Sequence, residues 1–261
     1  MSGISFERAA DFYDATRGLP AEVHGALTDV LAAELSGRAP CLEVGVGTGR
    51  IALGLHGRGI ELVGADIARA MLQRLVTNAG GRIPFPLLLA DATRLPLRDS
   101  SCGAVLASHV LHLISAWTAA ADEAMRVLGP NGVLLVDFGG GAQAPWSAPA
   151  RDAMRRHGVD NVRPGVSSPD QLARHLSGEA RMRPLSPVRF GVTRSLGRDL
   201  SEWEQQIHSW TWPYGSEQIK DACDEVRRWA EAESWPLDRE VTVERVIQWW
   251  AFERDAGEPD A

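Results

Sequence analysis

Cysteine is scarce in this sequence, which contains three among 261 residues. Cys41, Cys102 and Cys223 are far apart and form no C-x-x-C pair. This spacing excludes a dense disulfide framework and indicates no zinc site. We therefore expect a protein of a reducing compartment, the cytoplasm, with no metal site.

Long apolar runs are absent as well. No segment approaches the ~20 apolar residues that a membrane-spanning helix needs, and the first ten residues lack the apolar core of a secretory signal. We therefore predict a soluble protein with no membrane association.

Lysine is nearly absent, since Lys220 is the only one, and the net charge is −7. An extended nucleic-acid surface needs many cations to replace the counterions on the phosphates, so this acidic balance argues against one. The region 174–198 is a local exception that contains six arginines: Arg174, Arg181, Arg183, Arg189, Arg194 and Arg198. The cluster predicts a solvated face, and a nucleic-acid footprint is the alternative.

A glycine-rich turn is the most informative feature that is present. The segment 41–49, CLEVGVGTG, joins an apolar run of strand length to a helical pattern. Gly45, Gly47 and Gly49 stand at alternate positions, where glycine permits positive φ and removes side chains from the path of a ligand. The amides at the following helix start favour polar or anionic groups. The turn therefore predicts a ligand site, and a tight turn without a ligand is the alternative.

Apolar runs alternate with helical patterns through the first half of the chain. The patterns predict strands over residues 40–46, 60–66, 85–91, 102–108 and 133–138, and helices over 48–55, 68–77 and 117–128. Apolar strands that alternate with helices form a parallel sheet covered on both faces. Ligands bind such sheets beyond the carboxyl ends of the strands.

The second half is less regular. Its patterns predict a strand over 187–192, helices over 202–210 and 218–233, and one long final strand over 241–252. We divide the chain into an N-terminal helical lid (1–36), a Rossmann-like core (37–141), and a region of cap helices and last strands that completes the sheet (142–261).

Five spaced motifs within residues 38–138 together resemble those of the small-molecule class I S-adenosylmethionine-dependent methyltransferases. They are EVGVGTG at 43–49, VGADI at 63–67, LADA at 89–92, ASHVLH at 107–112, and EAMRVLGPNGVLLV at 123–136. The resemblance implies an α/β fold: a Rossmann-like, doubly wound, seven-stranded sheet, mostly parallel with an antiparallel last strand, plus a helical cap. It also implies S-adenosyl-L-methionine as the cofactor.

The resemblance assigns parts of the cofactor to these motifs. Its methionine end would lie at the glycine turn, its ribose hydroxyls would donate to Asp66, and its adenine would meet Asp91 and the Ala92 amide. An ionised carboxylate suits a vicinal diol because it accepts two hydrogen bonds and donates none. The implied cofactor contacts in the described motifs are Glu43, Gly45, Gly47, Gly49, Asp66, Ile67, Asp91, Ala92 and Ser108.

A nicotinamide-binding protein is the nearest competing interpretation. Its G-x-G-x-x-G fingerprint would place the third glycine at position 50, which is Arg50 here. Asp91, a third acidic strand end, has no counterpart in that fingerprint, although a turn residue before Ala92 and Thr93 is the alternative for it. The motif typical of enzymes that methylate nucleobase amines is also missing, because SHVL occupies 108–111.

Candidate catalytic residues follow the fourth predicted strand. Methyl transfer requires alignment, exclusion of water and, for a hydroxyl acceptor, removal of a proton. His112 and His109 are both candidate general bases, and loop histidines bonded to backbone are the alternative. Tyr13 and Arg17 share a helix face and resemble the family's segment that folds over the cofactor, with Arg17 toward its carboxylate. A plain surface helix is the alternative for that pair.

Tryptophan is concentrated near the carboxyl terminus, where seven of the nine follow residue 200. Trp210, Trp212 and Tyr214 are the candidate substrate contacts in an aromatic cap, which would fit a flat or apolar acceptor. The alternative is a hydrophobic core of the carboxyl-terminal part, formed by Trp203, Trp210, Trp229 and Trp249.

The predicted function is methyl transfer from S-adenosyl-L-methionine to a small organic acceptor, with O-methylation favoured by the two histidines. The alternatives are a methyltransferase acting on tRNA or another nucleic acid, and a non-catalytic cofactor-binding protein of the same fold. We expect a monomer or homodimer whose partner is the small-molecule acceptor.

Overall fold

The apolar runs of the sequence become the strands of a parallel sheet in the computed structural model, which describes residues 18–139, 143–160 and 163–254. In chain order the strands are β1 (Cys41–Val44), β2 (Leu62–Asp66), β3 (Leu87–Leu89), β4 (Cys102–Ser108), β5 (Leu128–Asp137), β6 (Ala180–Pro184), β7 (Val188–Ser195), β8 (Glu240–Ile247) and β9 (Trp249–Arg254).

The helices range from 5 to 17 residues in length. In chain order they are α1 (Ala21–Leu35), α2 (Ala52–His56), α3 (Arg69–Asn78), α4 (Trp117–Val127), α5 (Ser147–Arg156), α6 (Pro169–His175), α7 (Leu196–Glu204) and α8 (Ser216–Ala232). Single 3-10 turns lie at Leu111–Leu113 and Ser209–Thr211. Within the described ranges, no helix combines the length and the apolar character that crossing a membrane requires.

The chain divides into two compact units. The first comprises the described parts of Met1–Gly139, Pro164–Val188 and Ile247–Ala261. The second comprises the described parts of Gly140–Arg163 and Arg189–Val246.

The first unit contains a seven-stranded sheet with the order β3-β2-β1-β4-β5-β9-β6. The strands β1 to β5 pair in parallel, and β9 runs antiparallel to both β5 and β6. The predicted seven-stranded, mostly parallel sheet with an antiparallel last strand is therefore confirmed. The order reverses between β1 and β4, so the carboxyl ends of these two strands border the crevice in which α/β sheets bind ligands.

Strand register places four polar side chains on one face of this sheet. Glu43 pairs with Gly64 on one side and Leu106 on the other, while Ser108 pairs with Asp137. Residues two apart in a strand share a face, so Asp66, Glu43, Ser108 and Asp137 form a row across β2, β1, β4 and β5. All four are at least nine-tenths buried. The row lies at the carboxyl ends of the strands.

The second unit has its own core. Buried residues of α5, α7 and α8, among them Leu200, Ile219 and Val226, pack together with Trp146, which precedes α5. β7 and β8 form a separate two-stranded sheet in this unit.

The strand β6 was not predicted, β5 begins at Leu128 instead of 133, and two further differences have a local cause. The final strand predicted over 241–252 is two strands in different sheets, because the chain breaks at Gln248, whose side-chain amide donates to the carbonyls of Leu185 and Trp249. The helix predicted over 202–210 begins earlier, at Leu196, where the Ser195 hydroxyl accepts the Arg198 amide as an N-cap.

Candidate active site

The three glycines of the turn between β1 and α2 have different roles. All have positive φ, at +65° for Gly45, +56° for Gly47 and +83° for Gly49. A β-carbon on Gly45 would lie 2.5 Å from Cγ2 of Val110, and one on Gly49 would lie 2.9 Å from carbons of Leu53 and Leu75. A β-carbon on Gly47 would meet no atom closer than the Gly45 carbonyl oxygen, at 3.8 Å. Gly45 and Gly49 are therefore required for packing, whereas Gly47 leaves open space.

A cavity of about 360 Å³ opens at the carboxyl ends of β1, β2, β3 and β4. This volume lies within the range of small-molecule sites. Most of the predicted cofactor residues line it, namely Gly45, Gly47, Asp66, Ile67, Asp91, Ala92 and Ser108. His109 lines it as well. Among the described residues, Glu43, Gly49 and His112 are not part of the lining.

Asp66 connects the end of β2 to the glycine turn. Its Oδ2 accepts the amide of Gly47 at 2.8 Å, and its Oδ1 accepts the amide of Ala68 at 2.8 Å. A carboxylate offers about four hydrogen-bond acceptor positions, so these two amides do not by themselves occupy all of them. The arrangement fits a residue that organises the turn and also meets a ligand hydroxyl.

Asp91 follows β3 and forms a tight local turn. Its Oδ1 accepts the amide and the hydroxyl of Thr93 at 2.9 and 2.8 Å. This turn is the alternative that the sequence left open, and the residue also lines the cavity. Asp91 therefore both stabilises this turn and lines the cavity.

Glu43 is buried beneath the cavity rather than at its wall, with only 2% of its surface exposed. Burial raises its pKa to about 8, and Asp66 adds to this, while Arg50 and the Ala52 amide act in the opposite direction. Its Oε2 has no hydrogen-bond partner among the described residues. Below about pH 8 Glu43 is therefore mainly the neutral acid.

Arg50 is a site residue that the motif comparison missed. Its Nη2 donates to the Ser108 hydroxyl at 3.2 Å, and its charge acts on both Glu43 and Asp137. It also lines a second cavity, of about 280 Å³, together with Gly49 and His24. Its position directly after the glycine turn was the available signal, because a cation there faces the acids at the strand ends.

His109 and Asp137 are in contact at the ends of neighbouring strands. Nε2 of His109 lies 2.9 Å from Oδ2 of Asp137, whose Oδ1 accepts the amide of Gly139 at 2.7 Å. Burial alone would raise the pKa of Asp137, but the hydrogen bond and charge of His109, the Gly139 amide and the charge of Arg50 lower it overall. Asp137 was also missed, although it lies near the carboxyl end of a predicted strand.

The two candidate histidines are not equivalent. His109 has a left-handed backbone, with φ at +51°, which is uncommon for a residue other than glycine. His112 lies in the 3-10 turn at Leu111–Leu113, and its ring meets that of His109 edge-on with centroids 6.2 Å apart. The structure brings His109, rather than His112, to the cavity wall.

The candidate substrate residues lie in the second unit. Trp210 and Tyr214 pack against its core, and the Tyr214 hydroxyl donates to the Asp160 carbonyl at 2.6 Å. Nε1 of Trp212 donates to the Gln206 carbonyl at 2.8 Å. Trp203 and Trp229 also pack against this core, whereas Trp249 belongs to β9 of the first unit. The predicted contacts Tyr13 and Arg17 lie outside the described residues.

Comparison with known proteins identifies the central segment. Residues 42–136 match the family model described as "Methyltransferase domain". A malonyl-[acyl-carrier protein] O-methyltransferase of Geobacter sulfurreducens is 31% identical over 153 residues, which are 58% of this chain and 57% of that protein. The chain thus spans little more than half the length of this curated relative.

Solved structures share the fold at low sequence identity. The structure of a Bacillus halodurans protein described as a methyltransferase aligns with a TM-score of 0.61 and 16% identity, over 88% of this chain and 98% of that one. The [4+2]-cyclase SpnF aligns with a TM-score of 0.51 and 18% identity, over 89% and 82%. Together with the motifs and the sheet order, the family match confirms that residues 42–136 form a class I S-adenosylmethionine-dependent methyltransferase domain.

Proposed function

We propose that the chain transfers a methyl group from S-adenosyl-L-methionine to an oxygen of a small organic acceptor. The observation that carries the proposal is the cavity at the reversal of strand order, where the glycine turn, Asp66, Asp91 and His109 converge. The family match and the O-methyltransferase relative support the same chemistry.

The described residues fit this cofactor. Gly47 leaves room for a ligand against the backbone, Asp66 supplies acceptors for the ribose hydroxyls, and Asp91 with Ala92 stands where adenine would be read. Arg50 provides a cation near the methionine end. When bound, the cofactor supplies an electrophilic methyl group on a sulfonium, so the protein needs to align the acceptor, exclude water and accept a proton.

His109 is the better placed of the two candidate bases, because it lines the cavity and is held by Asp137. Ser108, which precedes it, is fixed by Arg50. Trp210, Trp212 and Tyr214 remain candidate substrate contacts through their aromatic surfaces. Tyr13 and Arg17 remain candidate cofactor contacts by the family resemblance.

The nucleic-acid alternative is disfavoured by five of the six arginines of 174–198, which are paired with carboxylates. Arg181 and Arg183 contact Glu253, Arg189 contacts Glu244, Arg194 contacts Asp199, and Arg198 contacts Glu202. An arginine that is already paired with a carboxylate displaces few counterions from nucleic-acid phosphates, so it contributes little to binding. We therefore expect no salt-dependent retention of RNA by the purified protein.

Calorimetry with S-adenosylhomocysteine, followed by incubation of a cell extract with deuteromethyl-labelled cofactor, tests the proposal. Mass spectrometry should find at least one metabolite that gains one labelled methyl group on oxygen. Binding without any labelled product would support a non-catalytic protein, and absence of binding would overturn the proposal. A variant carrying Asp66→Ala is the control for transfer that does not depend on this site.

A further inference from the structure

We propose that Asp137 is a positioning residue that holds His109 as the neutral Nε2–H tautomer, so that Nδ1 removes the proton of an acceptor hydroxyl. The inference rests on the proposed methyl transfer and narrows its acceptor to an alcohol or a phenol. It adds Asp137 and Gly139 to the working parts of the site.

Two contacts fix the His109 ring relative to β5. The ring Nε2 lies 2.9 Å from Oδ2 of Asp137, and the backbone amide of His109 donates to the Asp137 carbonyl at 3.3 Å. Asp137 is itself held by the Gly139 amide, which donates to Oδ1 at 2.7 Å. The side chain of Asp137 is only 5% exposed, so this geometry has little freedom.

The ionisation state of Asp137 determines the tautomer. Its pKa is lowered overall, because the hydrogen bond from His109 and the other favourable contacts outweigh the effect of burial. An ionised carboxylate only accepts hydrogen bonds, so the neutral imidazole must carry its proton on Nε2. The lone pair then remains on Nδ1, which is the atom that can take a proton.

Gly139 leaves the Nδ1 edge of the ring uncovered. A β-carbon on this residue would lie 2.9 Å from Cε1 and 3.1 Å from Nδ1 of His109. Its φ of +72° is in the left-handed region, which disfavours other residues. The ring itself is 24% exposed and borders the cavity. Glycine at 139 therefore leaves room beside this edge, and the proposal has the acceptor hydroxyl approach the ring there.

The chemistry explains why a hydroxyl is the acceptor that needs this pair. As the acceptor oxygen bonds to the methyl carbon, the carbon–sulfur bond breaks with its electrons on sulfur, and the hydroxyl proton passes to Nδ1. The resulting imidazolium is stabilised by Asp137, as in other histidine–carboxylate pairs. A carboxylate acceptor has no proton to lose at neutral pH, and its negative charge would be repelled by Asp137.

The tautomer can be measured without any acceptor, by long-range proton–nitrogen NMR of protein labelled with 15N-histidine. The signal is assigned with His109→Gln, and the pH is varied from 6 to 9. Among the described groups, Asp137 and His112 contact this ring, and the charge of Arg50 acts on Asp137. We expect the neutral ring of the parent protein to be the Nε2–H form, and Asp137→Asn to shift it toward the Nδ1–H form.

A matched control is available on the surface of the same unit. Nε2 of His175 lies 2.7 Å from Oδ1 of Asp122, a more exposed pair that does not line the cavity. Asp122→Asn should change the His175 signal and leave that of His109 unchanged. An Nδ1–H form in the parent protein, or no change in His109 with Asp137→Asn, would overturn the positioning role.

Kinetics with the acceptor found by labelling test the catalytic part. Asp137→Asn and His109→Gln should each lower kcat by about 100-fold, the usual contribution of a general base, with the dissociation constant for S-adenosylhomocysteine unchanged. Asp137→Glu should recover part of kcat. An unchanged kcat, or methylation at a carboxylate, would overturn the hydroxyl assignment. If the tautomer is as expected but no acceptor is labelled, the proposed function fails and the positioning contact stands.

Discussion

The Oδ2 atom of Asp66 accepts the backbone amide of Gly47 at 2.8 Å, so the end of β2 holds the centre of the glycine turn in place. The same carboxylate holds the Ala68 amide at 2.8 Å through Oδ1. The residue expected to meet the ribose therefore also shapes the turn against which the cofactor would lie.

Asp66→Ala should weaken binding of S-adenosylhomocysteine by about 100-fold. Charged hydrogen bonds are worth about 1.5–3 kcal/mol each, and the variant loses both the ligand contact and the support of the Gly47 amide. Isothermal titration calorimetry measures the effect. Asp29→Ala removes only an exposed carboxylate paired with Arg58 and should bind normally. Equal affinities of the two variants would rule out this role for Asp66.

Alanine at Gly45 and at Gly47 should have different consequences. Gly45→Ala places a β-carbon 2.5 Å from Val110 at positive φ and should lower the free energy of unfolding by about 3 kcal/mol. Gly47→Ala meets no atom closer than 3.8 Å and should cost about 1 kcal/mol from backbone strain. Because Gly47 lines the cavity, this second variant should mainly weaken cofactor binding.

Urea unfolding and calorimetry separate these two effects. Adding Val110→Ala should restore part of the stability lost in Gly45→Ala, since it removes the overlapping methyl groups. If Gly47→Ala proved the less stable of the two, the assignment of separate packing and ligand roles would be incorrect.

Glu43 should make stability fall as the pH rises. Its pKa is raised by burial from 4.5 to about 8 in the folded protein. The stabilisation from its protonated form is complete below about pH 4.5 and is lost as the pH rises through about 8. At roughly 1.4 kcal/mol per pKa unit, the loss amounts to a few kcal/mol.

Glu43→Gln should therefore flatten the decrease in the free energy of unfolding between pH 5 and pH 8, measured in urea at each pH. Glu61→Gln changes an exposed glutamate of the same unit and should keep the parent slope. Parallel slopes for the parent and Glu43→Gln would show that Glu43 does not ionise in this range.

Asp199 should be the most sensitive carboxylate of the second unit. It is 6% exposed and accepts from Nε1 of Trp146 at 2.9 Å and from Nε of Arg194 at 2.7 Å. Asp199→Ala leaves a buried indole donor and weakens the pairing of Arg194, so we expect a loss of about 3–5 kcal/mol. Urea unfolding followed by tryptophan fluorescence measures it.

Asp224→Ala provides the comparison for Asp199. Asp224 pairs with Arg227 one turn along the exposed side of α8, and removal of such a pair should cost about 1 kcal/mol or less. A similar loss of stability in both variants would contradict the structural role assigned to Asp199.

Local sequence patterns were sufficient to predict the parallel strands and the glycine turn. The first, second and fourth strands and residues 133–136 of the fifth are largely apolar runs. Such runs are buried wherever the sheet is covered on both faces. The boundary at Gln248 could not be read in the same way, because the residues on both sides of it suit a strand. Only pairing with different partners separates β8 from β9.

Sequence patterns were also insufficient to distinguish the two candidate bases. His109 and His112 follow the same strand and are equivalent by residue type. Their difference arises from the left-handed backbone at His109 and from Asp137, which is 28 positions away in sequence but adjacent in the sheet. Trp249 likewise belongs to the main sheet because β9 pairs with β5, and no local signal distinguishes it from the tryptophans of the second unit.

The sequence by itself determined the fold class, the glycine turn and the acidic strand ends, since these depend on short-range periodicity, glycine conformation and fixed spacing. The tertiary structure decided which glycine of the turn has open space beside it, which histidine contacts a carboxylate at the cavity, and that Arg50 reaches Ser108. Those properties depend on distances between residues that different strands bring together, and spacing along the chain does not encode them.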